Sequence, residues 1–409
     1  MSKQSSVQPE VNIGLVGHVD HGKSTLTKVL SGKWTDTHSE EQKRGITIKL
    51  GYAECDIYKK EDTFTVDPEG AEHVRRLSLV DAPGHESLMA TMLAGATVMD
   101  GAILLVAADE RVPQAQTEEH LMALQLSGIE NVIIAQNKID ILTDDQLKQS
   151  YEQIKRFLDG TMYEDAPIIP ISAEKQVNID YLLDAIQTHI PTPARDEVEN
   201  PEFLVTRSFD INRPGNRPKD MKGGVLGGSL VKGKLEKGDE IVMKPGRIHK
   251  EKNKLTASPI ETEVVSLSSG NNRLDKALPG GSLGVMTTLD PAIVKSDNLV
   301  GNIVGKPGTL PPIWNDIELE VHLLDRVVGT ESDESVENIK VGELLLLNVN
   351  SATTAGKVYD ISKNSAKIRL RLPICAKDKA RISISRKVGN RFRLVGYGLL
   401  NADNSKSLE

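Results

Sequence analysis

The chain has 409 residues, 38% of them hydrophobic and 3% aromatic, and a formal net charge of −8. That length allows two or three domains with their own cores. The acidic balance argues against broad nonspecific nucleic-acid binding, and the scarcity of rings argues against a stacking platform for single-stranded bases.

Met1 to Glu10 is polar, without the apolar segment of a signal peptide. No apolar run approaches the roughly 20 residues of a membrane span. Cys55 and Cys375 cannot build a disulfide framework, and neither has a Cys or His at metal-ligand spacing, so no zinc site is expected. A cytoplasmic protein with no membrane partner follows. Short apolar runs at Val11–Val16, Leu77–Val80, Ala102–Ala107, Val132–Gln136 and Ile168–Ile171 have the length of buried strands. Helical patterns lie between them, such as Leu26, Val29 and Leu30. This alternation predicts an α/β domain with a doubly wound, mostly parallel sheet. The polar stretch Lys59–Glu72 reads as a loop.

The pattern changes at Ile190-Pro-Thr-Pro193 and the charged run Arg195–Asn200, which read as a linker. Beyond it come short alternating strands at Phe203–Phe209, Gly224–Lys232, Glu240–Met243 and Glu261–Ser266, separated by turns such as Glu236-Lys-Gly-Asp239. That is a β-barrel pattern. A second proline break, Pro307 to Pro312, precedes another strand-rich stretch from Ile317 to Leu400. The expected organisation is a nucleotide-binding domain over 1–200 and two β-barrels over 201–316 and 317–409.

Chemistry concentrates in the first domain. Gly17-His-Val-Asp-His-Gly-Lys-Ser24 fits the P-loop pattern between a strand and a helix. Its glycines let backbone amides approach phosphate oxygens, Lys23 reaches the β- and γ-phosphates, and Ser24 places a hydroxyl on Mg²⁺. Asp81-Ala-Pro-Gly-His85 follows a strand. Asp81 is expected near Mg²⁺, Gly84 at the γ-phosphate, and His85 is placed to orient the attacking water. Asn137-Lys-Ile-Asp140 follows the next but one strand. Asp140 can accept from guanine N1–H and its 2-amino group, a donor pair adenine lacks, so GTP is selected over ATP. Ser172-Ala-Glu174 fits a backbone contact to the guanine oxygen. Thr47, in Arg44-Gly-Ile-Thr47, can bind Mg²⁺ while GTP is present and let go after hydrolysis to GDP and phosphate. The expected nucleotide contacts are Asp20, His21, Gly22, Lys23, Ser24, Thr25, Gly84, Asn137, Lys138, Asp140, Ser172, Ala173 and Glu174.

Charge is unevenly spread. Residues 361–400 hold eleven Lys and Arg against the single acid Asp378, and residues 201–250 hold eleven against six acids. A polyanionic partner could dock on this half; the alternative is a solvated strand face.

These motifs together resemble the translational GTPases that include elongation factor Tu. The closer resemblance is to the γ subunits of archaeal and eukaryotic translation initiation factor 2. It is carried by Trp34-Thr-Asp-Thr-His-Ser-Glu-Glu, Ile48-Lys-Leu-Gly-Tyr-Ala53, Ser208-Phe-Asp-Ile-Asn-Arg-Pro-Gly215, Gly223-Gly-Val-Leu-Gly-Gly-Ser229, Leu323-Leu-Asp-Arg-Val-Val-Gly329 and Ile384-Ser-Arg386. The resemblance implies a subunit of an αβγ heterotrimer that, with GTP, carries methionyl initiator tRNA to the small ribosomal subunit and releases it after hydrolysis. It also implies Ser24 and Thr47 on the main Mg²⁺, Asp20 and the Gly45 backbone on a second Mg²⁺, and an apolar gate of Val19 and Ile46 restraining His85. Many members carry two Cys-x-x-Cys pairs before the Asp-x-Pro-Gly strand. Here Cys55 stands alone, and no role of that zinc knuckle carries over.

Two other readings share these motifs. A selenocysteine-specific elongation factor usually has a further C-terminal domain. The GTPase subunit of a sulfate-activating enzyme has the same Gly-His-Val-Asp-His-Gly-Lys stretch and no tRNA cargo. Binding of initiator tRNA separates them.

Overall fold

The structure is a computed structural model that describes residues 8–35, 47–213, 215, 217–251, 254–329, 335–389 and 391–408. The chain divides into two compact units, Met1–Pro193 with Val328–Asp333, and Ala194–Val327 with Glu334–Glu409.

In chain order the first unit holds β1 (Val11–Val16), α1 (Lys23–Ser31), β2 (Gly51–Lys60), β3 (Thr63–Thr65), β4 (Glu72–Asp81), α2 (Met89–Ala96), β5 (Gly101–Ala107), α3 (Ala115–Ser127), β6 (Asn131–Asn137), α4 (Asp144–Leu158), β7 (Ile168–Pro170) and α5 (Ile179–His189). They form one sheet in the order β3-β2-β4-β1-β5-β6-β7. The run from β4 to β7 is parallel, while β2 and β3 add antiparallel pairings at one edge. Every residue of β1 and β5 is buried, as continuous apolar runs require when helices cover both faces. Leu26 and Leu30 of α1 and Leu182, Leu183 and Ile186 of α5 share one core with Ile13, Leu15, Ile103 and Leu105. The phosphate loop, Asp81, Asn137 and the loop after β7 all leave the same, C-terminal rim of the parallel strands, where open α/β sheets bind ligands.

The stretch Lys59–Glu72 is a hairpin, not a loop. The chain turns at Glu61, in a left-handed conformation, and β3 pairs back with Tyr58 opposite Thr65 and Lys60 opposite Thr63. Phe64 and Val66 explain it: they pack against the α1–α5 core, which settles the register of an otherwise polar segment. Cys55 also lies in this core, and burial pushes its thiol up to about 12, a packed side chain rather than a thiolate ligand. The end of α5 is closed by Arg75, which donates to the carbonyls of Ile186 at 3.1 Å and Ile190 at 2.9 Å.

The second unit contains two closed barrels. The first uses β8 (Glu202–Phe209), β9 (Val225–Lys232), β10 (Leu235–Glu236), β11 (Glu240–Glu251), β12 (Lys254–Ser269), β13 (Asn272–Leu274), β14 (Lys276–Ala277), β15 (Leu283–Thr287), the short helix α6 (Pro291–Val294) and β16 (Ile303–Gly305). The ring runs β11-β16-β8-β9-β15-β12 and closes by β11–β12 pairing, with β13 beside β12. β11 and β12 are longer than their apolar patterns indicate. Pairing continues from Arg247 opposite Ser258 beyond the buried part, where alternation no longer marks a strand. The second barrel comprises β17 (Ile313–Leu323), β18 (Leu344–Val349), β19 (Ala352–Ser362), β20 (Ser365–Cys375), β21 (Arg381–Val388) and β22 (Arg391–Ser407), closed in the order β17-β20-β19-β18-β21-β22. Each barrel encloses its own apolar core.

Candidate guanine-nucleotide site

The phosphate loop needs glycine where the sequence has it. Gly22 has φ +96°, and a Cβ there would lie 2.3 Å from the Asn137 side-chain nitrogen. At Gly84 a Cβ would lie 2.4 Å from Lys23 Nζ, so the Asp-x-Pro-Gly backbone passes directly over the lysine. Lys23 is buried and donates to the carbonyls of Gly17 at 2.9 Å and His18 at 2.6 Å. Gly22 is the N-cap of α1 and, as glycine, offers no side-chain cap, so the first-turn amides are left for another acceptor. Thr25 lies in that first turn.

Hard oxygen donors gather beside it. Ser24 Oγ donates to Asp81 Oδ2 at 2.8 Å and lies 3.4 Å from Thr47 Oγ1. Thr35 Oγ1 donates to the same Asp81 oxygen at 2.6 Å. Ser24, Thr47 and Asp81 were expected here. Thr35 was not, because one threonine in a polar run carries no pattern. Asp20 is exposed in a left-handed conformation and Val19 is half-buried. Gly45 and Ile46 lie outside the described residues.

The histidines divide by role. His85 caps the single 3₁₀ turn Glu86–Leu88: its Nδ1 accepts from the Ser87 amide at 3.2 Å and lies 2.8 Å from Ser87 Oγ. The ring is half-buried, and Nε2 is the nitrogen on its other edge. His21 turns its side chain into the core, donating from Nδ1 to the Leu105 carbonyl at 2.9 Å, away from the loop surface. Burial lowers its pKa. His120 of α3, a lone histidine that no sequence motif marks, accepts from the Gly17 amide through Nδ1 at 2.9 Å. Burial, with Lys23 close by, pushes its pKa down to about 3, so it stays neutral as an acceptor.

At the end of β6, Asn137 is a strut. It donates to the His21 carbonyl at 2.8 Å and accepts from the Ala173 amide at 2.9 Å. Ala173 N–H is thereby engaged within the protein. Ser172 Oγ donates to Asp140 Oδ1 at 2.6 Å, fixing that carboxylate's direction, and Glu174 is exposed. Lys138 is left-handed, with Nζ 3.3 Å from the Asp109 carboxylate and 3.9 Å from Glu110. Asp109 and Glu110, too, were invisible as site residues in sequence.

In the second barrel the chain's own acids engage part of the basic strip. Arg369 meets Asp316 at 2.7 Å with its guanidinium over the Tyr359 ring, Lys367 meets Asp360 at 3.1 Å, and Arg386 pairs with Glu343. Lys377 reaches Glu202 of the first barrel at 2.5 Å. Among the described residues no helix is long and apolar enough to cross a membrane.

Residues 8–192 match the elongation factor Tu GTP binding domain, and residues 315–400 match initiation factor eIF2 gamma, C terminal. The chain is 54% identical to translation initiation factor 2 subunit gamma of Pyrococcus abyssi, with 97% of this chain and 99% of that one aligned. Identity to the proteins of the same name is 55% in Methanocaldococcus jannaschii and 53% in Halorubrum lacusprofundi, with the same coverage. Among solved structures, a bacterial selenocysteine-specific elongation factor aligns with TM-score 0.73 and 24% identity over 96% of this chain and 58% of that one. Translation elongation factor SelB from Methanococcus maripaludis, in complex with the GTP analogue GPPNHP, aligns with TM-score 0.73 and 23% identity over 96% and 79%. Those two likenesses speak for the fold alone. A guanine-nucleotide-binding GTPase domain joined to two barrels, at more than half identity over nearly the whole length, makes this chain a member of the translation initiation factor 2 gamma subunit family of translational GTPases.

Proposed function

We propose that this chain, as the γ subunit beside α and β subunits in the cytoplasm, carries methionyl initiator tRNA to the small ribosomal subunit in its GTP form and releases it after hydrolysis. The observation that carries the switch is the meeting of Ser24, Thr47 and Asp81 next to Lys23 and Gly84. Two hydroxyls and a carboxylate are the donor set that suits Mg²⁺, and Ser24 and Thr47 would hold it with Asp81 alongside. Bound there, the ion would supply positive charge to offset that of the nucleotide's phosphates. Asp20 and the Gly45 backbone would serve a second Mg²⁺.

The remaining work falls to the chain. Lys23 turns from the loop carbonyls to phosphate oxygens, with the amides of His21, Gly22, Ser24 and Thr25 around them. Gly84 reads the γ-phosphate. His85, tethered through Nδ1 to Ser87, directs Nε2 toward the attacking water, with Val19 and Ile46 as its gate. Asn137, Lys138 and Asp140, with the Ser172-Ala-Glu174 loop, hold guanine. The domain limits at 200 and 316 belong to the same reading. The likeness to the selenocysteine factors is of fold at 24% identity, against 54% for the initiation factors, and favours the initiator reading. Filter binding of charged and uncharged initiator and elongator tRNA, with the partner subunits present, tests it. Equal retention of all four overturns the carrier reading.

A further inference from the structure

We propose that Thr35 is a positioning residue of the magnesium site, holding Asp81 from outside the metal's own ligands. This rests on the magnesium reading of Ser24, Thr47 and Asp81. Thr35 Oγ1 donates to Asp81 Oδ2 at 2.6 Å, shorter than the 2.8 Å bond from Ser24 Oγ to the same oxygen. Both bonds are charge-assisted, the class that most firmly fixes a carboxylate's direction. Asp81 is fully buried at the end of β4, where a carboxylate turned away from its donors would be costly.

A second observation is independent of that bond. β2 starts at Gly51, and a Cβ there would lie 2.7 Å from Thr35 Cβ and 3.2 Å from Asp81 Cβ. A side chain at Gly51 would displace Thr35 from its place against Asp81. Residues in contact with a metal's ligands set ligand orientation and contribute to affinity without touching the ion. Thr35 thus meets the same carboxylate oxygen that Ser24 touches.

The bland alternative is that Thr35 only satisfies a buried acid. That role affects stability and nucleotide release whether or not metal is present. The two are separated by release of fluorescent GDP from the full-length chain over a magnesium titration, with EDTA as the metal-free limit. In Thr35→Val, the magnesium concentration giving half-maximal retention should rise about tenfold, while the rate in EDTA stays that of the parent. Thr35→Ser, which keeps the hydroxyl, should restore the midpoint. An unchanged midpoint in Thr35→Val overturns the inference, as does release accelerated equally in EDTA. Ser24→Ala is the control for the reading beneath it: if that variant keeps the parent's magnesium dependence, the magnesium reading fails and Thr35 with it. If Ser24→Ala loses the dependence and Thr35→Val does not shift it, Thr35 alone is refuted.

Discussion

The side-chain amide of Asn137 donates to the backbone carbonyl of His21 across 2.8 Å, binding the Asn137-Lys-Ile-Asp140 segment to the phosphate loop. The same side chain accepts from Ala173, so three segments meet on one residue. Asn137→Ala leaves both backbone groups without this partner in a buried place, at a cost of about 1–3 kcal/mol. GTP and GDP affinity should fall together, roughly 10- to 100-fold, in a nucleotide titration. A loss confined to one nucleotide would contradict the strut.

Asp140 is held by Ser172 through a 2.6 Å bond to one carboxylate oxygen. Asp140→Asn should move preference toward xanthine nucleotides, because an amide can donate to the 2-oxygen. Ser172→Ala should weaken guanine binding more mildly, by an amount in line with about 1.5–3 kcal/mol or less for a bond to a charged group. Competition between GDP and XDP reads both, and an unaltered guanine preference in Asp140→Asn removes Asp140 as the selector.

His120 makes the nucleotide domain sensitive to acid. Its pKa is about 3 in the folded chain against 6.5 for the ordinary side chain, through burial first and then the nearby Lys23, His18 and His21. A depressed histidine contributes stability that is fully present above 6.5 and is lost as pH falls from there toward 3. The slope is at most about 1.4 kcal/mol per pH unit. His120→Asn keeps an acceptor for Gly17 and removes the titration. Melting curves between pH 7.5 and 5 should therefore converge toward acid, the parent losing more than the variant.

His85→Ala should lower ribosome-stimulated turnover with little change in GTP affinity. Its bond to Ser87 orients the ring without supporting the phosphate loop. Unstimulated hydrolysis should be slow in both, about 10⁻⁴ to 10⁻² per second as for other switch GTPases. Loss of GTP binding in the variant would make His85 structural.

The second barrel refines where RNA phosphates could be met. Arg369, Lys377 and Arg386 are already engaged by Asp316, Glu202 and Glu343. Arg371, Lys379 and Lys387 are exposed. Replacing these three with Ala should flatten the salt dependence of tRNA binding, by about 0.7 to 0.9 in log slope per lost phosphate contact. Replacing the ion-paired three should change it less. An unchanged slope in both sets removes this face while leaving the carrier reading standing.

The strands, the phosphate loop and the place of Asn137-Lys-Ile-Asp140 at a strand end were legible in sequence because they are local. Val11–Val16 is apolar except at Asn12, Gly17 and Gly22 take conformations few side chains tolerate, and each motif begins at or just after the end of a strand. Whatever depends on which strands become neighbours was not legible. Thr35 meets Asp81 across 46 positions, Gly17 meets His120 across 103, and Asn137 meets His21 across 116. No periodicity records such pairs, since they arise only when β1, β4, β5 and β6 are laid side by side. The hairpin at Lys59–Glu72 was hidden for the same reason: Phe64 and Val66 are ordinary residues until the core beside α5 exists to bury them. The basic strip shows the converse, a pattern plain in sequence whose meaning changed once folding set Asp316 and Glu343 against its arginines.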